Sequence, residues 1–308
     1  MEPCGLSSPG AREGATDIEA KHEPSPRRTW LHRAWNGFLS GLLGGRLPEV
    51  DPRVINGSPA TITEAPFMAY LTTGYYKTGK QHKLPCSSSI IGNRWIITAA
   101  HCISRILGTK SARTQKVPPE NVKAWVGNAD RNAGTEFLVD SYRVHPEWNY
   151  NKLYSSADIA ILRLATNLTF GPTVQPICYP TSDEIGKGAE TCDPILYGWG
   201  RLQLKNKEGS RYLQKLDANV TDKPTEKCNK YSDQRIICVG GRVPSTGPCH
   251  GDSGGPMVLR YGDVAYLSGI ASGHGSNLPK LKCKTIPFVY TRTSSYADWV
   301  KSTIDSWN

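Results

Sequence analysis

Short strand-like runs separated by turn residues fill the chain after residue 53 and limit the folds that it can adopt. Four of these runs come first, and they read "RWIITAA", "KAWVGN", "EFLVDSYRV" and "DIAILRL". Four more follow, and they read "PILYGWG", "PMVLRYG", "AYLSGIASG" and "PFVYTRT". Evenly spaced runs of this kind, rich in β-branched and aromatic residues, are typical of β-sandwiches and β-barrels. The pattern therefore predicts an all-β fold.

The two ends of the chain depart from this pattern. Residues 1–53 are rich in Pro, Gly, Ser, Arg and Glu and show no sustained period, so we predict a largely disordered segment. At the other end, "SSYADWVKSTIDSW" has apolar residues at helical spacing, which predicts a closing helix over 295–307. Ser295 and Asp298 have the spacing of a capping box at the start of this helix.

Composition and charge are those of a soluble globular protein with a surplus of positive charge. The chain has 308 residues, of which 38% are hydrophobic and 21% charged, and its formal net charge is +10. Residues 1–53 contain seven basic and seven acidic side chains, so the whole surplus lies after them. No run of Lys and Arg reaches five, and we therefore interpret the charge as a solvated surface that binds neither nucleic acid nor membranes.

The cysteines indicate an oxidising compartment. They form no CxxC pairs and do not stand beside histidines at zinc-finger spacing, so we predict disulfides and no metal site. Asn-x-Ser/Thr sequons at Asn56, Asn167 and Asn219 are compatible with a secreted glycoprotein. We expect a secreted protein, although the N-terminus contains no clear signal peptide. The nine cysteines are Cys4, Cys86, Cys102, Cys178, Cys192, Cys228, Cys238, Cys249 and Cys283.

The stretch "GPCHGDSGGPM", Gly247–Met257, surrounds one serine with four glycines. Glycines let a backbone bend tightly, and the loop would then present the hydroxyl of Ser253. The amides of Gly251 and Ser253 would point at an oxyanion that develops beside that hydroxyl. On its own, this stretch is also compatible with an ordinary turn.

A histidine and an aspartate elsewhere supply the groups that a serine nucleophile needs. His101 lies in "TAAHC" after a strand-like run, and Asp158 lies in "SADIAILRL" at the head of another. Taken singly, the first is typical of a structural histidine and the second of a cap or turn residue. Together with Ser253 they provide a nucleophile, a general base and an acid that orients the base. We therefore predict a catalytic triad of His101, Asp158 and Ser253.

The order of these motifs resembles the chymotrypsin-like (trypsin-fold) serine protease family from Val54 to Asn308. "RVING", "TAAHC", "DIAIL", "GWG", "GDSGGP", "FVYTRT" and the closing helix follow one another as they do in that family. The resemblance implies two packed six-stranded antiparallel β-barrels, roughly residues 54–175 and 176–295, with a C-terminal α-helix. It also implies that the triad lies in the cleft between the barrels.

The resemblance gives "DPRVING" the role of an activation site. Cleavage after Arg53 would free the α-amino group of Val54, which would turn inward and pair with Asp252. A buried carboxylate without a partner is costly, so this pairing would order the loop that forms the oxyanion hole. Residues 1–53 would then be an activation peptide, and the protease domain would comprise residues 54–308.

The resemblance also implies a set of disulfides and leaves three cysteines with open assignments. The implied bridges are Cys86–Cys102, Cys228–Cys238 and Cys249–Cys283. Cys178 has two alternatives, because relatives bond this position to the activation peptide, which here offers Cys4. The alternative partner of Cys178 is Cys192, which lacks its usual family partner.

The substrate pocket is where the sequence departs most from trypsins. The position of the trypsin pocket aspartate is Gly247, which argues against Lys or Arg before the scissile bond. The walls align with Ser272 and His274, and Phe288 replaces a wall glycine and would fill the pocket floor. We therefore predict a preference for small or medium apolar residues. The competing interpretation is that His274, or Lys282 and Lys284, attract an acidic residue before the scissile bond.

These observations predict a secreted serine endopeptidase that is made as a zymogen and forms an acyl-enzyme. Its partners would be protein or peptide substrates, an activating trypsin-like protease and protease inhibitors, and the protein would be a monomer without cofactors. The alternative is a catalytically weak or non-catalytic protease-like binding or regulatory protein, whose pocket is blocked by Phe288. The complete set of triad residues speaks against this alternative.

Overall fold

The computed structural model contains two closed barrels of six antiparallel strands each, followed by a C-terminal helix. This architecture confirms the fold that the sequence predicted. The structure describes residues 57–77, 80–106, 114–149, 157–181, 194–202, 208–220, 233–241, 246–261, 263–274 and 288–307.

The first barrel is formed by residues in the first half of the described chain. The strands of this part of the chain are β1 (Ser58–Pro59), β2 (Met68–Lys77), β3 (Lys80–Gly92), β4 (Trp95–Thr98), β5 (Ser104–Ile106), β6 (Thr114–Lys116), β7 (Val122–Val126), β8 (Thr135–Val144) and β9 (Ala160–Leu164). The barrel closes in the order β2-β3-β4-β9-β8-β7. Strand β1 lies outside it, and β5 and β6 form a separate small sheet. In β7, buried and half-buried residues alternate, as expected when one face of a strand points into a barrel.

The second barrel contains β10 (Ile195–Gly198), β11 (Gln214–Val220), β12 (Ile236–Gly241), β13 (Pro256–Tyr261), β14 (Val264–His274) and β15 (Phe288–Arg292). It closes in the order β11-β10-β13-β14-β15-β12, because β11 pairs with both β10 and β12. Strand β1 pairs with β11 and so joins the start of the described chain to this barrel.

All eight strand-like runs contain a strand, but four of the twelve barrel strands were not predicted, namely β2, β3, β11 and β12. Strand β3 shows why, since its sequence "KQHKLPCSSSIIG" is mostly polar and includes a proline. Its three serines are nevertheless fully buried. Ser88 illustrates how this is possible, because its hydroxyl donates to the carbonyl of Ala69 at 2.9 Å.

The closing helix spans Ala297–Asp305 and is shorter than predicted. The predicted capping box is wrong, because the chain forms a 3₁₀ turn over Thr293–Tyr296 before the helix begins. Tyr296 therefore occupies the N-cap position, and no side chain caps the helix. Asp298 still lies in the first turn, where its carboxylate faces the positive end of the helix dipole. No described helix is long and apolar enough to cross a membrane.

The end of the chain docks against the first barrel. The guanidinium of Arg143, in β8, donates to the hydroxyl of Ser306 at 3.0 Å and to the carbonyl of Thr303 at 3.4 Å. The same guanidinium lies 4.6 Å from the centre of the Trp307 ring, which in turn lies 5.0 Å from the ring of Trp95 in β4. These contacts combine cation–π attraction with burial of two large aromatic rings.

The disulfides agree with the resemblance as far as the structure describes them. Cys86 and Cys102 form the implied bridge, with an S–S distance of 2.04 Å. Cys238 and Cys249 each take part in a disulfide as well. Their expected partners, Cys228 and Cys283, lie outside the described residues, as do Cys4 and Cys192. The pairings of these cysteines, including that of the buried Cys178, therefore stay predictions.

Candidate active site

His101 and Asp158 meet at the edge of the first barrel. A short helix, α1 (Ala100–Ile103), follows β4 and carries His101, while Asp158 lies two residues before β9. The carboxylate oxygen Oδ2 of Asp158 lies 2.7 Å from Nδ1 of His101, and Oδ1 accepts a hydrogen bond from the His101 backbone amide at 2.9 Å. Asp158 is only 1% exposed, so this pair fixes both the position and the orientation of the imidazole.

The second barrel completes the surroundings of Asp158. The hydroxyl of Ser272, in β14, donates to Oδ2 of Asp158 at 2.6 Å. The hydroxyl of Thr291, in β15, donates to the backbone carbonyl of the same aspartate at 3.1 Å. The carboxylate thus has donors from both barrels, which offsets the cost of burying its charge. Sequence reasoning placed Ser272 in a pocket wall but missed its hydrogen bond to Asp158.

Ser253 lies on a loop that only glycines can build. Gly251 and Gly254 have φ values of 103° and 78°, a region that residues with a side chain rarely adopt. A Cβ atom on Gly254 would lie 2.1 Å from Oγ1 of Thr98. The loop is also hydrogen-bonded to the first barrel, because the amide of Ser87 donates to the carbonyl of Ser253 at 2.8 Å. The hydroxyl of Ser87 donates to the carbonyl of Gly251 at 3.0 Å.

His101 and Ser253 line one cleft between the barrels, with a volume of about 410 Å³. Nδ1 of His101 is occupied by Asp158. Among the described residues, no oxygen or nitrogen atom is hydrogen-bonded to the other ring nitrogen, Nε2, of His101. Nε2 is therefore available to accept a proton, and Ser253 lines the same cleft.

Asp252, beside the nucleophile candidate, is a buried carboxylate held by backbone amides. Oδ1 accepts from Gly200 at 2.8 Å and Oδ2 from Cys249 at 2.8 Å. Within the described chain it has no cationic partner, and burial raises the pKa of Asp252 to about 6. A Cβ atom on Gly198 or Gly200 would lie 2.2 Å or 2.1 Å from this carboxylate, which explains both glycines of the "GWG" motif.

The predicted pocket residues differ in where they lie. Phe288 and Ser272 line the cleft, and Phe288 is 4% exposed because it also packs in the core of the second barrel. The backbone of His274 pairs with that of Phe288, but its side chain lies outside what the structure describes. Gly247 is buried and does not line the cleft, whereas Pro248 and Cys249 do. The roles of these residues in specificity stay predictions.

One cluster of potential metal ligands lies at the site, but most of its ligand atoms are already bonded to other groups. Ligand atoms of Cys86, His101 and Cys102 lie within 4.8 Å of one another. The two sulfurs are joined in a disulfide, so neither can act as a thiolate ligand. Nδ1 of His101 is bound to Asp158. We therefore assign no metal to this cluster.

Three side chains in the cleft were missed by sequence reasoning. Lys83, Arg201 and His250 all line it, together with the triad candidates. None belongs to a recognisable motif, although Arg201 directly follows "GWG" and His250 lies inside the serine-bearing stretch. The candidate activation residues Arg53 and Val54 lie outside the described residues, so their role stays a prediction.

Comparison with known proteins agrees with the architecture and the cleft. The family model described as Trypsin matches residues 54–300. The chain is 28% identical over 270 residues to CLIP domain-containing serine protease B4 of Anopheles gambiae, an alignment that covers 83% of this chain and 71% of that protein. It is 31% identical to melanization protease 1 of Drosophila melanogaster, covering 82% of this chain and 66% of that protein. It is also 31% identical to chymotrypsin-like elastase family member 1 of Bos taurus, covering 87% of this chain and 97% of that protein. The chain therefore belongs to the trypsin family and is a chymotrypsin-like serine endopeptidase.

Proposed function

We propose that this endopeptidase cleaves peptide bonds with His101, Asp158 and Ser253 as its catalytic residues. Nε2 of His101 takes the proton of the Ser253 hydroxyl while Oγ attacks the substrate carbonyl carbon. His101 then gives this proton to the leaving nitrogen, the C–N bond breaks, and an acyl-enzyme remains on Ser253. A water molecule, activated by the same imidazole, hydrolyses the ester and returns the proton to Ser253.

Asp158 and the glycine loop have supporting roles in this proposal. Asp158 holds His101 in the tautomer with its proton on Nδ1 and stabilises the imidazolium that forms after proton transfer. The backbone amides of Gly251 and Ser253 bind the oxyanion of the tetrahedral intermediate. The positive φ of Gly251 supports this role, because it turns the loop in a way that other residues would resist.

The contact of 2.7 Å between Asp158 and His101, in the cleft that Ser253 also lines, is the observation that carries this assignment. A fluorophosphonate probe, which reacts with activated serines, tests it on the trypsin-treated protein. We expect labelling of Ser253 by mass spectrometry, and no labelling of Ser253→Ala or His101→Ala. Labelling of His101→Ala at the wild-type rate would contradict the proposed base.

We further propose that the intact chain is a zymogen that is cleaved after Arg53 by a trypsin-like protease. The new α-ammonium of Val54 would pair with Asp252. The buried position of Asp252 and its raised pKa support this proposal, because a cation beside it would remove the cost of its charge. We expect trypsin treatment to produce Val54 as a new N-terminus together with activity. Arg53→Gln should remain inactive under the same treatment, and full activation of this variant would contradict the proposal.

For substrate preference, we propose small or medium apolar residues before the scissile bond. Phe288 lines the cleft with its ring almost fully buried, and no carboxylate at Gly247 offsets the charge of a bound Lys or Arg. A buried cation without a partner costs several kcal/mol, so basic side chains are disfavoured. The alternative is an acidic residue held by His274 or by Lys282 and Lys284. Cleavage of a peptide library that varies only the residue before the scissile bond distinguishes the two preferences.

We also propose that the enzyme is secreted, glycosylated and monomeric, with protein or peptide substrates. Four of the five described cysteines are disulfide-bonded, namely Cys86, Cys102, Cys238 and Cys249. Stable disulfides are typical of oxidising compartments. The sequon residues Asn167 and Asn219 are both exposed, as attachment of a glycan requires.

A further inference from the structure

Two basic side chains in the cleft have no role in the proposed mechanism. Lys83, in β3, is exposed, and Arg201, three residues after the end of β10, is half-buried, and both line the cleft beside His101 and Ser253. Neither side chain forms an ion pair with any residue in the part of the chain that the structure describes. Their charges are therefore available to a ligand.

The other titratable groups of the cleft do not cancel these charges. Asp252 is buried and its two oxygens are engaged by backbone amides. Partial desolvation and the nearby charge of Arg201 lower the pKa of His250, which favours its neutral form. No other acidic residue lines the described cleft, which thus has a net positive charge at its rim.

The position of the two cations relative to the pocket indicates which part of a substrate they meet. One wall of the cleft is built by Ala271, Ser272 and Gly273 of β14 together with Phe288 of β15, and the proposed substrate pocket lies there. The loop that carries Ser253 contacts β14 after the serine, where the amide of Gly254 donates to the carbonyl of Ala271 at 2.7 Å. Before the serine it contacts a second wall, where the amide of Arg201 donates to the carbonyl of His250 at 2.8 Å. Lys83 lines the same cleft from β3 of the first barrel. The acyl part and the leaving amine of a substrate extend to opposite sides of the attacked carbon. A substrate whose acyl side fills the first wall therefore directs its leaving amine toward the second.

We propose that Lys83 and Arg201 form a subsite that selects substrates with an Asp or Glu among the first three residues after the scissile bond. This inference rests on the proposed function and names a substrate class for the same site. Three extended residues span about 10 Å, so these are the leaving-side residues that lie nearest to the nucleophile. Arg201 offers two donors to one carboxylate, whereas Lys83 acts as a point charge.

The effect belongs to the rim of the site and is correspondingly moderate. Exposed ion pairs contribute little each and are screened by salt. We expect acidic residues at these positions to raise kcat/KM about three- to tenfold over lysine at low salt, with a smaller ratio at 0.5 M salt. The gain should lie in acylation only, because the leaving peptide has departed before deacylation.

The test uses trypsin-activated full-length protein and quenched fluorescent peptides that share one acyl part. The second residue after the scissile bond is Glu, Ala or Lys, and kcat/KM is measured at two salt concentrations. Arg201→Gln and Lys83→Gln should each reduce the Glu-to-Lys ratio, and Arg201→Glu should invert it. Lys116→Gln removes an exposed lysine that does not line the cleft, and it should leave the ratio unchanged.

Failure of this inference can be told apart from failure of the proposed function. If the Ala peptide is cleaved by wild type but not by Ser253→Ala, the mechanism stands. An equal kcat/KM for Glu and Lys peptides in wild type would then overturn the subsite alone. A ratio that Lys116→Gln lowers as much as Arg201→Gln does would also overturn it, because the preference would then come from the overall charge. Deacylation of the common acyl-enzyme should proceed at one rate in wild type and Arg201→Gln, and a slower rate in the variant would contradict a role confined to the leaving side.

Discussion

The candidate active site has two buried carboxylates, and the two halves of the molecule satisfy them to different degrees. Asp158, beside the first barrel, accepts from the backbone and ring of His101 and from Ser272. Asp252, in the loop of the second barrel, accepts from two backbone amides and has no cation among the described residues. Burial raises the pKa of Asp252 to about 6. The proposed acid–base half of the site therefore has hydrogen-bond donors around its carboxylate, whereas the carboxylate of the proposed nucleophile half has no counter-charge among the described residues.

This difference indicates where control of activity is expected. A buried carboxylate that already has its hydrogen-bond donors is a poor site for regulation, because a new partner would add little free energy of stabilisation. A buried carboxylate without a cation gains several kcal/mol when a cation arrives, and the gain is available to order the loop that carries it. Activation through a new N-terminal ammonium would thus act on Asp252 and leave the Asp158–His101 pair unchanged.

The largest effect is expected from breaking the proposed acid–base half. Asp158→Asn replaces an acceptor with an amide that can donate, so His101 would be held in the wrong tautomer for accepting the Ser253 proton. We expect kcat of the activated enzyme to fall about 10⁴-fold. Adding Ser253→Ala should lower kcat far less than it does in the wild-type background, because the effects of residues that act as one unit are not additive. A loss below tenfold in Asp158→Asn would show that this half is not the acid–base machinery.

A second substitution tests whether Phe288, in the second barrel, forms the floor of the substrate pocket. Phe288→Gly should open the pocket floor and raise kcat/KM for Phe and Leu before the scissile bond relative to Ala. Each methylene in such a pocket changes discrimination by roughly 10–200-fold. Profiling wild type and variant on peptides varied at that one position measures the ratio. An unchanged ratio would mean that the ring belongs to the barrel core alone, and a wild type that prefers Arg or Lys would refute the pocket proposal.

A third prediction concerns the pH dependence that follows from Asp252. Its pKa in the folded chain, about 6, lies above the value of about 3.9 for an unfolded aspartate, so the folded state binds the proton more tightly. The free energy of unfolding of the uncleaved chain should therefore fall as pH rises from about 4 to about 6, by up to about 3 kcal/mol. Asp252→Asn should remove this fall, as urea titrations at pH 4 and pH 7 would measure.

The same experiment on cleaved protein gives the matching control. If the Val54 ammonium pairs with Asp252, the carboxyl pKa in the cleaved form drops and its stabilising effect is present at neutral pH. Asp252→Asn should then destabilise the cleaved form at pH 7. Both forms should be prepared as Ser253→Ala to prevent autolysis. An identical pH dependence in cleaved and uncleaved protein would contradict the pairing.

The smallest effect is expected where the two halves meet. Ser272→Ala removes one of the donors to Asp158 and leaves His101 as the remaining side-chain partner of that carboxylate. Loss of a hydrogen bond to a buried charged acceptor costs about 1–3 kcal/mol, and we expect kcat to fall about tenfold. Ser272→Thr keeps the hydroxyl and should recover most of the rate. Equal losses in both variants would point to packing instead of the hydrogen bond.

The sequence predicted the fold and the members of the cleft where local chemistry is distinctive. The runs containing β4, β9 and β15 are apolar and β-branched, and Ser253 lies among glycines that have few other uses. Strand β3 was missed because the hydroxyls of its buried Ser87 and Ser88 donate to the backbone carbonyls of Gly251 and Ala69, which no local pattern reveals. The capping box failed for a similar reason, since a 3₁₀ turn before the helix moves Ser295 away from the N-cap.

Lys83 and Arg201 were missed because their importance comes from position alone. They lie far apart in the sequence, in different barrels, and neither has a motif around it. Only the packing of the two barrels against each other brings them to one cleft with His101. Contacts that depend on long-range packing are the part of a site that sequence patterns do not record.

The link between Ser87 and the nucleophile loop has a consequence for how accurately the site keeps its dimensions. The amide of Ser87 holds the carbonyl of Ser253 at 2.8 Å, and Cys86 beside it is joined by its disulfide to Cys102, the neighbour of His101. Nucleophile and base are therefore connected by one short path of covalent bonds and a single hydrogen bond. We therefore expect a displacement of this part of β3 to move both residues together. The reacting atoms can keep their spacing while the rest of the two barrels fluctuates, and reduction of this one disulfide would release that restraint.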